Sequence, residues 1–384
     1  MSRCILIAGG GTGGHVFPGI AVAKSLEKLA DVKIVFAGSP RGLEARVVPS
    51  QGYPLELLDV EPMKGGGPQR AIRGAIVAAK ATQQARNFVR RLAPAVVLSV
   101  GGYAAGPAAL ACVSQRVPLA ILEPNSVLGL TNRLLAPFAK RAYLAWSDTR
   151  RHFKGDKARL YGVPLRSGFE PRAYMVGPSP KKLLVLGGSQ GAAALNDVLP
   201  RAVASLSNVT IVHQAGKDRD DAVRARYAEL GATNVEVVPF LDDVAQRMTQ
   251  ADLIVARAGA VTVAEISALG RAAILVPFPH AADDHQAKNA LALAALGGAV
   301  CIRQESADEA RLTDAIGDLL DDDRRRTAIA NAAREHGKPH AADDIAKDLL
   351  ALAGIGLRKV TPPSKTNGSS PHIRISGFGN RGVS

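Results

Sequence analysis

Aromatic side chains are scarce in this 384-residue chain: Phe, Tyr and Trp make up 4% of it, with a single Trp. Proteins that grip single-stranded nucleic acid stack bases on such rings. That class is therefore disfavoured, despite a formal charge of +14. Cysteine is scarce as well: Cys4, Cys112 and Cys301 form no CxxC pair and no Cys/His zinc spacing. A reduced, cytosolic compartment is the expectation, with no structural metal. Long apolar runs are missing. The N-terminal run Cys4–Ala8 stops at glycines, too short for the core of a signal peptide. The one charge-free stretch long enough to span a membrane, residues 92–115, is interrupted by Pro94, Gly101-Gly102 and Gly106-Pro107. A strand, a glycine turn and a buried helix account for it better than a transmembrane helix. No GxxxxGK[ST] occurs, so a P-loop nucleotidase is unsupported.

What is present is an alternation. Short β-branched runs, among them Cys4–Ala8, Lys33–Ala37, Val96–Val100, Leu119–Leu122, Leu183–Leu186, Leu253–Ala256 and Ala273–Val276, are continuously apolar. Parallel strands covered on both faces read that way. Longer Ala- and Leu-rich stretches between them, such as 17–30, 69–92, 193–205 and 261–269, suit crossover helices. The expected fold class is α/β, with two Rossmann-like domains whose parallel sheets face a cleft. The pattern restarts near residue 182, after a proline- and glycine-containing connection at 168–180.

Three glycine-rich turns follow strands: Gly9–Gly14, Gly101-Gly102-Tyr103 and Gly187–Gly191. The first satisfies GxGxxG, where backbone N–H groups can approach an anion at a helix N-terminus. A dinucleotide site also needs an acid at the end of the second strand. Here that strand ends Phe36-Ala37-Gly38-Ser39, and the nearest acid, Asp31, precedes it. A nicotinamide-dependent oxidoreductase is thereby disfavoured. Two decoys remain. Asp218-Arg219-Asp220 satisfies DxD, but it lies in a polar stretch that opens a helix. His280–His285 could be drawn as a metal site.

Taken in order, the motifs GGGTGGHVFPGIAVA (9–23), GGYAAGP (101–107), EPNSVLGLTN (123–132), GVPLR (162–166), GGSQGA (187–192), FLDD (240–243), GAVTVAE (259–265) and HQAKNA (285–290) resemble one family. It is the MurG-type N-acetylglucosaminyltransferases of peptidoglycan synthesis, and the likeness runs from residue 3 to about residue 352. The resemblance implies a GT-B fold and inverting transfer of GlcNAc from UDP-GlcNAc to the 4-hydroxyl of MurNAc in lipid I, forming lipid II. It implies work at the cytoplasmic face of the bacterial cell membrane as a peripheral enzyme. It implies no cofactor and no metal, and cell-wall or division-machinery proteins as candidate partners. Nucleic acid is not an expected partner.

The resemblance also assigns residues. Thr12, Gly13, Gly14, Asn125, Arg166, Ser189, Leu241, Ala260, Val261, Thr262, Glu265 and Gln286 are implied donor contacts. Gly102 and Tyr103 are candidates for the acceptor pyrophosphate. His15, with an ordinary pKa near neutrality, is the candidate base; capping its helix or binding acceptor pyrophosphate are the alternatives. Helix candidate 69–92 carries six cations and no acid, with Arg70, Ile72, Arg73, Ile76 and Lys80 as membrane-facing candidates. An ordinary crossover helix with a solvated basic face explains the same pattern. Two positions depart from the family pattern: Pro124 and Val163 stand where polar side chains are usual.

The charge divides unevenly, +13 over residues 1–165, −4 over 166–357 and +5 over 358–384. The corresponding division is an acceptor- and membrane-facing domain (1–165), a UDP-GlcNAc-binding domain (166–340), a helix returning to the first domain (341–357) and a basic, disordered tail (358–384). A GT-B enzyme with another lipid or secondary-metabolite acceptor, and a basic adaptor on an inactive fold, are the competing readings.

Overall fold

The computed structural model describes residues 2–60, 68–188 and 192–358, and at 68–76 the backbone alone. Residues 61–67, Ser189 and the segment 359–384 lie outside the described residues.

The first half runs β1 (Arg3–Gly9), α1 (Gly13–Leu29), β2 (Val32–Gly38), α2 (Glu44–Ser50), β3 (Leu55–Leu57) and α3 (Pro68–Leu92). It continues with β4 (Val96–Gly101), α4 (Ala105–Ser114), β5 (Leu119–Glu123), α5 (Leu130–Leu135), β6 (Arg141–Leu144) and β7 (Ala158–Arg159). The second half runs β8 (Lys181–Leu186), α6 (Ala193–Ala204), β9 (Val209–Gln214), α7 (Asp220–Glu229), β10 (Val235–Val238), α8 (Val244–Gln250) and β11 (Leu253–Ala256). It ends with α9 (Ala260–Leu269), β12 (Ala273–Leu275), α10 (His285–Ala295), β13 (Val300–Cys301), α11 (Glu309–Asp321), α12 (Asp323–His336) and α13 (Ala341–Leu352).

Two all-parallel sheets result, of seven strands in the order β3-β2-β1-β4-β5-β6-β7 and of six in the order β10-β9-β8-β11-β12-β13. In each sheet the winding direction reverses beside the first strand, between β1 and β4 and between β8 and β11. Loops leaving neighbouring strands part at such a point and open a crevice. The glycine turns at 9–14 and 101–103, Gly187-Gly188 and the turn at Gly259 all lie at the carboxyl ends of these four strands.

The first sheet is covered on one face by α3 and α4, through Ala81, Ala85, Phe88, Val89, Ala108 and Cys112. The other face is covered by α1 and, from the far end of the chain, α13. Ile345, Ala346, Leu349 and Leu350 repeat at helical spacing and are fully buried there, so α13 completes the core of the first domain. Polar contacts fix its angle: Ser25 donates to Asp343 at 2.6 Å, and Tyr143 and Arg141 both donate to Asp348, at 2.9 and 3.1 Å.

The charge-free stretch 92–115 resolves into β4, a glycine turn and the buried helix α4. Among the described residues no helix is long and apolar enough to cross a membrane. Strands β7 and β13 have two residues each and sit at sheet edges, too short to leave an apolar period. Sequence reading missed both.

Candidate functional site

The floor of the cleft in the first domain is made by two glycine loops in contact. Gly10 N donates to Gly101 O at 3.3 Å. Gly102 has φ +81°, and a Cβ there would lie 2.2 Å from the Gly10 carbonyl oxygen. Only glycine allows this approach. Tyr103 does not reach into the cleft as a free side chain. Its ring packs toward Gly11, and its hydroxyl donates to Ser39 Oγ at 3.3 Å.

Helix α1 starts directly after the first loop. Its cap residue Thr12 makes no side-chain capping bond, and its first turn holds no acid. The N–H groups at Gly13 and Gly14 therefore remain available, with the positive end of the helix dipole behind them. His15, one residue on, lies with its ring against Gly101; a Cβ there would be 3.0–3.1 Å from Cδ2 and Nε2. Thr12 Oγ1 is 3.3 Å from His15 Nδ1. Burial pulls the His15 pKa down to about 4; the nearby His285 adds to this, and the Gly10 carbonyl opposes it. The imidazole is neutral at pH 7, the form able to accept a proton.

Beneath this loop is a carboxylate that sequence reading did not single out. Glu44 accepts from Gly11 N at 2.6 Å and from Ser39 N at 2.8 Å. A second one, Glu123 at the end of β5, accepts from Asn125 N and Nδ2 (both 3.1 Å), Gly129 N (2.9 Å) and Asn132 Nδ2 (3.1 Å). Burial raises its pKa, and these four donors oppose the rise. Glu123 thus shapes the loop that presents Asn125, and Pro124 leaves that bonding intact.

The second domain supplies the facing wall. Helix α9 begins after Gly259, without a side-chain cap and with no acid in its first turn. The N–H groups of Ala260, Val261 and Thr262 are thus open, a second anion site. Glu265, one turn on, is buried, and its carboxyl is raised to about 7 by that burial, with Arg166 pulling the other way from 3.8 Å. Arg166 itself is half-exposed and lies 5.5 Å from the Phe169 ring centre. Leu241 packs its side chain into the second core, leaving its backbone for any contact. Gln286 Oε1 accepts from Phe278 N at 3.0 Å, so its amide nitrogen is the group that points away from its own loop.

The two walls are joined. Asn289 on α10 is fully buried. Its Oδ1 accepts from Ser126 N at 2.8 Å, and its Nδ2 donates to Asn125 Oδ1 (3.2 Å) and Ala258 O (3.3 Å). Helices α1 and α9 touch across the gap. The motif HQAKNA contained Asn289, yet its amide was not singled out, because nothing local in the sequence shows that it bridges domains. Farther along the join Trp146 stacks on His336 with ring centres 4.4 Å apart, and Val163 lines the opening beside them.

The remaining candidates fall elsewhere. Arg70, Ile72, Arg73 and Ile76 are on α3, where only the backbone is described, and Lys80 is exposed on the same helix. Farther along α3 the apolar stripe, Ala81, Ala85, Phe88 and Val89, packs into the core. Asp220 opens α7 and pairs with Arg224 at 3.3 Å on the surface. Among the described residues no group of three His, Cys, Asp or Glu could hold a metal ion.

Residues 5–144 match the glycosyltransferase family 28 N-terminal domain, and residues 182–349 match its C-terminal domain. The UDP-N-acetylglucosamine–N-acetylmuramyl-(pentapeptide) pyrophosphoryl-undecaprenol N-acetylglucosamine transferase of Sorangium cellulosum is 50% identical, over 91% of this chain and 88% of its own. The transferase of the same name from Syntrophotalea carbinolica is 42% identical, over 91% and 99%. The crystal structure of Acinetobacter baumannii MurG superposes with a TM-score of 0.75 at 33% identity, over 91% of this chain and 99% of that one. The chain belongs to glycosyltransferase family 28.

Proposed function

We propose that this protein transfers GlcNAc from UDP-GlcNAc to the 4-hydroxyl of MurNAc in undecaprenyl-pyrophosphoryl-MurNAc-pentapeptide, forming lipid II with inversion at the anomeric carbon. The observation that carries the reading is the opposition, across one cleft, of a neutral imidazole from the first domain and the open N-terminus of α9 from the second.

The donor lies against the second domain. The first-turn N–H groups of Ala260, Val261 and Thr262 hold the diphosphate, with Arg166 beside it. Glu265 accepts from the ribose hydroxyls, the Leu241 backbone meets the uracil, and Gln286 and Asn125 read sugar hydroxyls. Thr12, Gly13 and Gly14, at the first turn of α1, meet the donor from the first domain, and the acceptor pyrophosphate faces the loop at Gly102-Tyr103.

In the transfer, the acceptor O4 forms a bond to the anomeric carbon as the bond from that carbon to the UDP oxygen breaks. His15 takes the O4 proton, and the departing diphosphate keeps the electron pair. Charge gathering on the diphosphate is met by fixed N–H dipoles and Arg166, which need no reorganisation at that moment.

The enzyme works at the cytoplasmic membrane face. Support comes from the +13 of the first half and from Leu130, Leu134 and Phe138, which α5 and the following turn expose beside Arg133. Apolar tips flanked by cations suit an anionic leaflet.

The test is transfer of sugar-labelled UDP-GlcNAc to a lipid I analogue by the purified protein. Labelled lipid is expected, and His15→Ala should lower turnover by at least 100-fold, within the range of about 10²–10⁴ typical of general-base loss, while UDP affinity stays within twofold. No label on the acceptor, together with no protection by UDP against thermal unfolding, would sink the reading.

A further inference from the structure

The carboxylate under the first glycine loop has a setting of its own. Glu44 is 1% exposed, and among the described residues no ion pair to it is found. A Cβ at Gly10 would lie 2.1–2.3 Å from its carboxylate, one at Gly42 would lie 2.1–2.4 Å from it, and one at Gly38 would lie 2.4 Å from its Cγ. Three glycines thus make a cradle with the shape of a carboxylate. In a dinucleotide-binding loop the backbone amides serve a ligand phosphate. Here the Gly11 amide is already engaged by an internal anion, at 2.6 Å. The residues so anchored are the ones beside His15: the Gly10 carbonyl acts to hold its pKa up, and Thr12 Oγ1 is 3.3 Å from Nδ1.

Resting on the reading of His15 as the base, we propose that Glu44 is a positioning residue for the transfer. Its carboxylate takes the anion place of the first glycine loop, fixes Gly10 to Thr12, and thereby sets the placement and partial burial of the His15 ring. A neutral side chain could not do this. Glu44→Gln would turn an NH₂ donor toward one of two backbone N–H donors, at Gly11 or Ser39, and the loop would have to shift. Misplacing a reacting group by about 1 Å can cost on the order of 100-fold in rate.

The experiment uses the full chain and the labelled transfer assay, with kcat followed against pH. The groups bearing on His15's titration are Thr12 and Gly10 from its own loop, His285 from α10, and Gly101 with the Asn132 amide beside it. Glu44→Gln is expected to lower kcat by about 10- to 100-fold and to move the acid limb of the profile toward neutrality, as water reaches the imidazole. The protection by UDP against unfolding should stay within twofold, because the implied contacts to uracil, ribose and diphosphate at Leu241, Glu265 and Ala260 to Thr262 lie on the untouched second domain. Glu44→Asp keeps the charge and should fall between wild type and the Gln variant in both rate and acid limb. Should the Gln variant not fold, an intermediate Asp profile supports the proposal and a wild-type Asp profile overturns it. A Gln variant with the wild-type rate also overturns it. So do Gln and Asp variants equally slow with the acid limb unmoved, the pattern of simple packing loss. His15→Ala, assayed alongside, separates the two claims. If it remains active, the base reading fails; if it is inactive while Glu44→Gln is normal, only the role of Glu44 fails.

Discussion

A buried carboxyl raised to about 7 carries a cost in stability. Glu265 is buried on α9, as are Ile266, Ala268 and Leu269, and Arg166, half in solvent, compensates it only from 3.8 Å. Its carboxyl ionises at about 7 in the fold, against an ordinary value of 4.5. Between those values the folded protein holds the proton more tightly than the unfolded chain. Raising the pH through this window removes stability, and above about 7 the loss is complete, on the order of 3 kcal/mol. Ribose hydroxyls bound at that carboxylate would return hydrogen bonds to the ionised form. Glu265→Gln should therefore flatten the fall in melting temperature between pH 5 and pH 8 and weaken UDP protection about 10-fold, roughly one charge-assisted hydrogen bond. Thermal melts at both pH values, with and without UDP, check this. An unchanged pH slope would show that the stability cost lies elsewhere.

At the scale of elements, α13 is the clearest case of distant sequence supplying a core. Leu349 is fully buried against α1 and the first sheet. Leu349→Ala should cost about 3 kcal/mol, within the range for buried leucines, and the cost should fall on the first domain. In calorimetry the transition that UDP does not protect would move down, while the UDP-protected one stays. A shift of the UDP-protected transition alone would contradict this packing. The same helix shows what sequence could convey. The period of Ala342, Ile345, Ala346, Leu349 and Leu350 announces an amphipathic helix, because helical spacing is local. The strands of both sheet centres were legible for the same reason: burial on both faces leaves unbroken apolar runs. The two-residue strands at the edges were not, since two residues carry no period. The glycine turns were legible at the site, yet Glu44, Glu123 and Asn289 were not. Each acts by bonding to backbone or side chains that the topology brings to it, and no spacing rule encodes that.

For the whole molecule, the GT-B arrangement makes the site a property of two domains held at one separation, so the question is what holds them. The ion pair Arg133–Asp283 spans the gap at 3.9 Å, but both side chains are about half exposed. Such pairs contribute between zero and about 1 kcal/mol. The Asn289 amide is a different matter. It is fully buried and bonds to Ser126 N and Asn125 Oδ1 of the opposite domain. Truncating it strands a backbone N–H and a side-chain oxygen in the gap, at about 1–3 kcal/mol for an unsatisfied buried group. The closed state would lose between 5- and 150-fold in population relative to open ones. With one fluorophore on each domain, Asn289→Ala should lengthen and broaden the interdomain distance in the absence of nucleotide, and saturating UDP should restore part of the short distance. Arg133→Ala should leave the distance unchanged. Two variants that behave alike would mean that buried amide and exposed ion pair contribute equally to closure, and would overturn this role for Asn289.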